Sequence, residues 1–170
     1  MKFRNKKQQK LWSLFVDLKS AFDTVNHEIL FEKMRKYNID EKLTDTIEWL
    51  YRQTKIKTKY QEIKLGTGVI QGGVISPSLF LIMFDDLLAK LDELGYQVYA
   101  YADDLSIIQK GREKLDIAIQ IIEEWTKENH MKINKKKSGI IFFKKKKSKN
   151  IEEIDIKGIP IVKNYKYLGI

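Results

Sequence analysis

The stretch "VYAYADDLSII", Val98 to Ile108, places two adjacent aspartates between two apolar runs. The aromatic and β-branched residues on either side predict two strands, Tyr96 to Tyr101 and Leu105 to Gln109. Asp103 and Asp104 would then lie at the tip of a tight hairpin, where their carboxylates project past the end of the sheet. Aspartate is also common in ordinary turns, because it hydrogen-bonds the local backbone. The pair therefore predicts a hairpin, with or without a site.

Strand and helix patterns alternate before this hairpin. The apolar run from Leu11 to Leu18 suits a buried strand. Apolar residues at helical spacing follow Asn26 and again Asp40, and both residues are good N-caps. The alternating residues from 55 to 64 predict a pair of short strands. Two amphipathic helices and a small hairpin are therefore expected between the first strand and the centre of the chain.

A long helix is expected directly before the hairpin and another directly after it. Ser76 is placed as the N-cap of the first of these, with Pro77 at its first position and Gly95 beyond its end. The second runs from about Arg112 to Asn129 and leads into a lysine-rich strand. This order of elements predicts an α+β fold in which helices cover one face of an antiparallel sheet.

Composition limits the organisation and the chemistry. With 170 residues and 43% hydrophobic residues, the chain is expected to form a single domain over 1–170, with residues 1–10 as a basic N-terminal segment. It contains no cysteine, and His27 and His130 are far apart, so a zinc site is not expected. A net charge of +9 favours a polyanionic partner such as a nucleic acid. No apolar run is long enough to span a bilayer, which predicts an intracellular protein that does not enter a membrane.

A further carboxylate, Asp17, directly follows the apolar run of the first strand in "FVDLKSAFD". If that strand lies beside the hairpin, Asp17, Asp103 and Asp104 meet at one edge of the sheet. Like charges at such distances raise one another's pKa, and a divalent cation removes the repulsion. Mg²⁺ prefers carboxylate oxygens, and two ions about 3.5 to 4 Å apart promote in-line phosphoryl transfer. The residues alone therefore predict metal-dependent chemistry on a polyanion, and both nucleases and polymerases fit.

Five segments together resemble the palm motifs of reverse transcriptases, of the type found in non-LTR retrotransposons and group II introns. In order along the chain they are "FVDLKSAFDTV", "GVIQGGVISPSLF", "YADD", "INKKKSG" and "YLG". The resemblance implies an RNA-directed DNA polymerase palm with a ferredoxin-like core. It also implies two Mg²⁺ ions, which Mn²⁺ can replace, a dNTP substrate, an RNA template and a DNA primer. Most of the fingers and the thumb would lie outside these residues, in missing segments or a partner chain.

The resemblance gives Asp17, Asp103 and Asp104 the role of catalytic metal ligands. It places Phe22 under the sugar of the incoming nucleotide, where the ring would exclude a 2′-hydroxyl; a core phenylalanine is the alternative. Gln71 and Gly72 would lie near the nucleotide and template, and an ordinary turn before a helix is the alternative there.

The resemblance also assigns a lysine that protonates the departing pyrophosphate, Lys137, although a solvated basic edge fits the lysine-rich tract as well. The remaining predicted positions share one role, contact with nucleic acid; they are Tyr101, Ala102, Lys135, Lys136, Lys144, Lys145, Tyr167, Leu168 and Gly169.

Other functions stay open from the sequence. Asp17 and Asp23 are six residues apart, a spacing at which RNA-directed RNA polymerases use the second acid to bind the ribose 2′-hydroxyl. A non-catalytic, palm-derived subunit that binds RNA within a ribonucleoprotein is a further possibility. An unrelated two-metal nuclease explains fewer of the motifs.

Overall fold

The computed structural model describes residues 11–57, 61–143 and 154–169. Its strands are β1 (Leu11–Val16), β2 (Lys55–Lys57), β3 (Glu62–Lys64), β4 (Gln97–Tyr101), β5 (Asp104–Lys110), β6 (Gly139–Phe143), β7 (Asp155–Ile156) and β8 (Ile159–Pro160). Its helices are α1 (His27–Lys36), α2 (Glu41–Gln53), α3 (Ser76–Glu93) and α4 (Arg112–Glu128), and a short 3-10 turn spans Ala21–Thr24.

The main sheet has four antiparallel strands in the order β4-β5-β1-β6, so β1 and β5 are its central strands. Side chains alternate between the two faces of a strand. The residues that point toward the helices form one half of the core and are buried: Trp12, Leu14 and Val16 on β1 and Leu105 and Ile107 on β5. An α+β fold with an antiparallel sheet is therefore confirmed, and the hairpin of β4 and β5 contains the two aspartates.

Helices α3 and α4 pack on this apolar face and contact β4, β5 and β1. Phe80, Phe84 and Leu87 of α3 and Leu115 and Ile119 of α4 have no exposed surface. Helix α1 contacts both α2 and α3, so the first two helices extend the core beyond the sheet.

Two of the three helix N-caps predicted from the sequence are confirmed. The side chain of Asn26 accepts from the N–H of Ile29, and that of Asp40 accepts from the N–H of Leu43, as N-caps do. The prediction for Ser76 is wrong, because α3 begins at Ser76 itself. Its hydroxyl donates instead to the carbonyl of Ile70, 2.5 Å away, and so ties the start of α3 to the preceding loop.

A partly buried ionic contact joins α1 to α3 and α4. The Lys33 ammonium donates to Asp86 at 2.8 Å and to the Met83 carbonyl at 2.7 Å, and the Trp125 indole N–H donates to Asp86 at 2.7 Å. Burial lowers the pKa of Lys33, while the hydrogen bond to Asp86 opposes that shift. The sequence indicated a solvated or locally paired position for Asp86. The structure pairs it with a residue from a distant helix.

The part of the chain that the structure describes contains no helix long and apolar enough to cross a membrane.

Candidate active site

Asp17 and Asp104 lie across from each other on the face of the sheet that points away from α3 and α4. The last residues of β1 paired with β5 are Val16 and Leu105, so the next position on each side is Asp17 and Asp104. Both carboxylates are partly exposed. The antiparallel register therefore brings together two acidic residues that are far apart in sequence.

The hairpin tip consists of Ala102 and Asp103, because Asp104 is already the first residue of β5 and pairs with Tyr101. The prediction that both aspartates occupy the tip is therefore wrong for Asp104. Ala102 has a φ of 52°, a left-handed conformation that costs a non-glycine residue about 1–2 kcal/mol. Tight two-residue hairpin loops need such a backbone angle.

The three carboxylates interact electrostatically. Burial raises the pKa of Asp104 first, and the negative charges of Asp103 and Asp17 raise it further. Two phenols lie near enough to sense the same charges. Burial raises the pKa of Tyr165 and of Tyr167, and the charge of Asp104 adds to both shifts. The charges of the three carboxylates therefore meet at one end of the sheet.

A divalent metal fits this donor set in chemistry, because hard cations prefer carboxylate oxygens. The mutual repulsion at Asp104 is also what a bound cation would relieve. The geometry is less complete: among the residues described, no group of three or more Asp, Glu or His side chains is close enough to hold a metal ion. The carboxylates are neighbours, but they have not converged to ligand distances.

Backbone contacts hold Asp17 in place beyond the end of β1. Its N–H donates to the Ser138 hydroxyl at 3.1 Å, and its carbonyl accepts from the N–H of Asn134 at 2.8 Å. Leu18 and Ile133 form a further isolated bridge just after it. The segment 134–138, which contains the lysines of "INKKKSG", is thus fixed against the strand end that supplies the first carboxylate.

The predicted nucleotide-binding residues lie on a loop and a turn that are docked together. The N–H of Val69 donates to the Phe22 carbonyl and that of Gly68 to the Val25 carbonyl, each at 2.8 Å, and His27 Nε2 donates to the Gly68 carbonyl at 2.7 Å. A Cβ on Gly68 would lie 2.9 Å from the Asp23 carbonyl oxygen. Only glycine permits this close approach of the two backbones.

The side chains beside this docked loop show both predicted and unpredicted contacts. Phe22 stacks on Phe80 with ring centroids 4.5 Å apart, so it packs against the core while remaining partly exposed. The amide Nε2 of Gln71 donates to Asp23 Oδ1 at 2.8 Å. Gly72 has a φ of 78° with open space where a Cβ would be. The three predicted residues, Phe22, Gln71 and Gly72, are thus accessible and lie near one another in the fold. Their contact with a nucleotide remains a prediction.

The lysines of segment 134–138 differ in their surroundings. Lys135 donates to Glu123 at 2.8 Å and to the Lys157 carbonyl at 2.7 Å, so its ammonium is engaged within the protein. Lys136 and Lys137 are exposed. Lys144 and Lys145 lie outside the described residues. Contact of these lysines with nucleic acid, and proton donation by Lys137, remain predictions.

Aromatic side chains flank the carboxylates on the open face. Tyr101 is 68% exposed at the end of β4, beside the tip residue Ala102. On the other side, Phe15 stacks on Tyr165 at 4.5 Å and packs against Tyr167 at 5.5 Å. Leu168 and Gly169, the next residues, have φ angles of 52° and 86°.

Three residues of this site were not singled out from the sequence. Ser138 and Gly68 act through contacts with segments far away in the chain, so no local pattern marks them. Tyr165 packs over Gly139, where a Cβ would lie 2.6 Å from its ring, and its hydroxyl donates to the Lys137 carbonyl at 2.8 Å. A tyrosine two residues before the predicted "YLG" contact was the one available signal.

Solved structures with a similar fold include a telomerase from Candida tropicalis, in complex with a fragment of telomeric RNA. The TM-score is 0.66 at 16% identity, covering 89% of this chain and 29% of that one. A telomerase from Candida albicans matches with a TM-score of 0.59, also at 16% identity, over 82% of this chain and 28% of that one. At this level of identity the similarity concerns the fold.

Curated relatives come from mobile elements. A Pol polyprotein of the type-1 retrotransposable element R2 from Nasonia vitripennis is 31% identical over 140 residues, which is 75% of this chain and 14% of that protein. The COX1/OXI3 intron 1 protein of Saccharomyces cerevisiae is 35% identical over 68 residues, which is 40% of this chain and 8% of that protein. The chain therefore spans a small part of each relative. A family model for reverse transcriptase (RNA-dependent DNA polymerase) matches residues 1–170. The chain belongs to the reverse transcriptase family, of the type found in non-LTR retrotransposons and group II introns.

Proposed function

We propose that this chain is the palm of an RNA-directed DNA polymerase, which transfers a nucleotide from a dNTP to a primer 3′-hydroxyl. The observation that carries the proposal is the position of Asp17 directly across from Asp104, with Asp103 adjacent in the hairpin turn. The activity belongs to a longer polymerase or an assembly in which fingers and thumb hold the substrates, with residues 1–170 as the single palm domain.

The strand order supports a ferredoxin-like palm core. The elements β1, α3, β4, β5, α4 and β6 follow one another as strand-helix-strand, strand-helix-strand, and the sheet order places β1 and β5 at its centre. Helices α1 and α2 with the β2-β3 hairpin form an insertion between β1 and α3. The two central strands then place the carboxylates next to each other at one end of the sheet.

Asp17, Asp103 and Asp104 would hold two Mg²⁺ ions, or Mn²⁺ in their place. When bound, such ions activate the attacking hydroxyl and stabilise the charge that develops on the leaving phosphate oxygens. The chain itself supplies the oxygen ligands and the rigid strand ends that hold these ligands. Lys137 would give a proton to the departing pyrophosphate, since its segment is anchored to Asp17 through Asn134.

Selection of a deoxynucleotide is assigned to Phe22. Its ring is supported from below by Phe80, which keeps it from moving aside for a 2′-hydroxyl. Asp23 is the residue that an RNA polymerase would use to bind that hydroxyl, and here its Oδ1 accepts from Gln71. The supported ring of Phe22 favours dNTPs over rNTPs, and hence the DNA polymerase over the RNA polymerase.

An RNA template and a DNA primer are the proposed nucleic-acid partners. The exposed ring of Tyr101, together with Ala102, would contact the primer end next to the carboxylates. Tyr167, Leu168 and Gly169 would contact the primer strand from the opposite side of the same face, and the lysine-rich segment would follow the phosphates. The net charge of +9 is consistent with such a partner.

A palm-derived subunit that binds RNA without catalysis is the second candidate. The observation in its favour is that, within the described ranges, no three acidic or histidine side chains converge to metal-ligand distances. It predicts RNA binding that does not depend on Asp17 or Asp103.

Primer extension on an RNA template tests the proposal. The longest natural polypeptide that carries this chain is incubated with Mg²⁺ or Mn²⁺ and either dNTPs or rNTPs. Extension with dNTPs is expected, and it should be lost in Asp17→Ala and Asp103→Ala. An exposed acid at the far end of α3 provides the control, Asp92→Ala, which should retain activity. RNA binding without extension, equal in all four proteins, would support the non-catalytic subunit instead.

A further inference from the structure

Ser138 is a buried residue next to the proposed metal site that none of the roles above uses. It lies directly before β6 and is only 2% exposed. Its hydroxyl accepts from the N–H of Asp17 at 3.1 Å and donates to the carbonyl of Asn134 at 2.9 Å. Ser138 and Asp17 are separated by 121 residues in sequence. One hydroxyl therefore links the end of β1 to the segment before β6.

The two main-chain groups of Asp17 are both held by this segment. Asp17 follows the last regular pair of β1 with β5, and its carbonyl accepts from the N–H of Asn134. Buried backbone N–H groups need a partner, because losing one costs free energy. Here a side chain supplies the partner for the N–H.

The segment that carries Ser138 is itself compact. The N–H groups of Lys137 and Ser138 both donate to the Asn134 carbonyl, at 3.0 and 2.8 Å. The Lys137 carbonyl accepts from the Tyr165 hydroxyl at 2.8 Å. The Ser138 hydroxyl is thus held in place by its own segment, and its hydrogen bond restricts the backbone of Asp17.

We propose that Ser138 is a positioning residue for Asp17. The Ser138 hydroxyl fixes the backbone from which the metal-binding carboxylate of Asp17 projects. The inference rests on the proposed function, because it needs Asp17 to be a ligand. Groups that orient metal ligands typically change metal affinity or activity by about 10-fold to 100-fold when removed. Small displacements of reacting groups have similarly large effects on rate.

The side chain can be altered without changing the charge of the site. Ser138→Ala removes the hydroxyl and leaves the Asp17 N–H without this partner, whereas Ser138→Thr retains a hydroxyl. Another buried serine, Ser13, lies on β1 four positions before Asp17 and is 3% exposed. Ser13→Ala is therefore the matched control for the loss of a buried hydroxyl from this part of the sheet.

The test combines three measurements on the same polypeptide used for primer extension. These are the affinity for Mn²⁺, measured by titration without substrate; kcat and KM for the dNTP; and hydrogen exchange at the Asp17 amide. Ser138→Ala should weaken Mn²⁺ binding and lower kcat by about 10-fold to 100-fold, with little change in KM and faster exchange at Asp17. Ser138→Thr and Ser13→Ala should resemble the wild type. If Ser138→Ala does not melt cooperatively, Ser138→Cys, which keeps the volume but donates weakly, takes its place.

The outcomes separate this inference from the proposed function. A wild-type protein that binds Mn²⁺ and extends primers, with Ser138→Ala equal to it in both, overturns the role of Ser138 alone. That role is likewise overturned if Ser13→Ala loses as much activity as Ser138→Ala, since the effect is then one of general packing. A wild-type protein that neither binds Mn²⁺ nor extends primers overturns the proposed function, and the inference with it.

Discussion

Asp104 lies directly across the central strands from Asp17, one position beyond the last regular pair of β1 and β5. The two carboxylates share the open face of the sheet with Asp103 in the adjoining turn. Charge repulsion at this site is a cost that the fold bears at neutral pH. Replacing one of these residues should relieve the repulsion, and so should the divalent cation that we propose binds there.

We expect Asp104→Asn to stabilise the protein at neutral pH. The raised pKa of Asp104 means that the folded state favours the protonated carboxyl group. The stability that protonated Asp104 contributes is therefore fully present below its unfolded-state pKa of about 3.9, and it is lost as the pH rises through its folded-state pKa. The gain from Asp104→Asn should therefore appear near pH 7 and vanish near pH 3. Because the side chain is partly exposed, about 1 kcal/mol is the upper limit. Denaturant unfolding at the two pH values measures it.

With Mg²⁺ added, the wild type should become more stable than Asp104→Asn, because the cation stabilises only the protein that retains all three carboxylates. Asp92→Asn, with an exposed side chain on α3, serves as the control and should show neither the pH-dependent gain nor the effect of Mg²⁺. A loss of stability in Asp104→Asn at pH 7 without metal would indicate a structural carboxylate instead.

Gly68→Ala should disrupt the docking of the nucleotide loop. With a φ of 90° and a Cβ position 2.9 Å from the Asp23 carbonyl, alanine requires the backbones to separate. We expect a loss of about 1–3 kcal/mol in the free energy of unfolding and a raised KM for the dNTP, since Gln71 moves with the loop. Gly66→Ala is the control: no atom lies within 4 Å of its Cβ position. Equal unfolding midpoints for the two variants would argue against the docked loop.

Phe22→Ala should relax the choice of sugar. Removing the ring opens space for a 2′-hydroxyl, and we expect the ratio of rNTP to dNTP incorporation to rise by about 10-fold or more. The ratio is measured by single-nucleotide extension with each substrate. Phe80→Leu breaks the ring stack from the core side and should lower stability while changing the ratio less. An unchanged ratio in Phe22→Ala, with stability lowered as in Phe80→Leu, would mean that Phe22 acts only as a core residue.

Lys33→Met should destabilise the contact between the helices. It leaves the Asp86 carboxylate with the Trp125 indole but without its cation, and the expected loss is about 1–3 kcal/mol, measured by denaturant unfolding. Asp86 is 37% exposed, which limits the loss. Arg35→Met removes two ion pairs, with Asp45 and Glu48, on the exposed side of the same helix and should have little effect. Adding Asp86→Leu to Lys33→Met should recover part of the stability, because it removes the unpaired charge.

Local patterns in the sequence determined most of the secondary structure. Alternation and β-branched residues marked β1, β4 and β5, and side-chain caps marked α1 and α2 at Asn26 and Asp40. These signals act within a few residues, through backbone preferences and the burial of one helix or strand face. The five motifs in order likewise indicated the reverse transcriptase family, which the family match confirms.

Only the tertiary structure decided how these elements meet. The register of β1 and β5 moved Asp104 from the tip into the strand opposite Asp17, and packing paired Asp86 with a distant lysine. Ser138 reaches Asp17 across 121 residues. Such contacts depend on which backbone groups remain without partners when the sheet and helices come together. No local property of a serine, an aspartate or a glycine specifies that partner, so the sequence predicted the carboxylates of the site, and the fold determined what holds them.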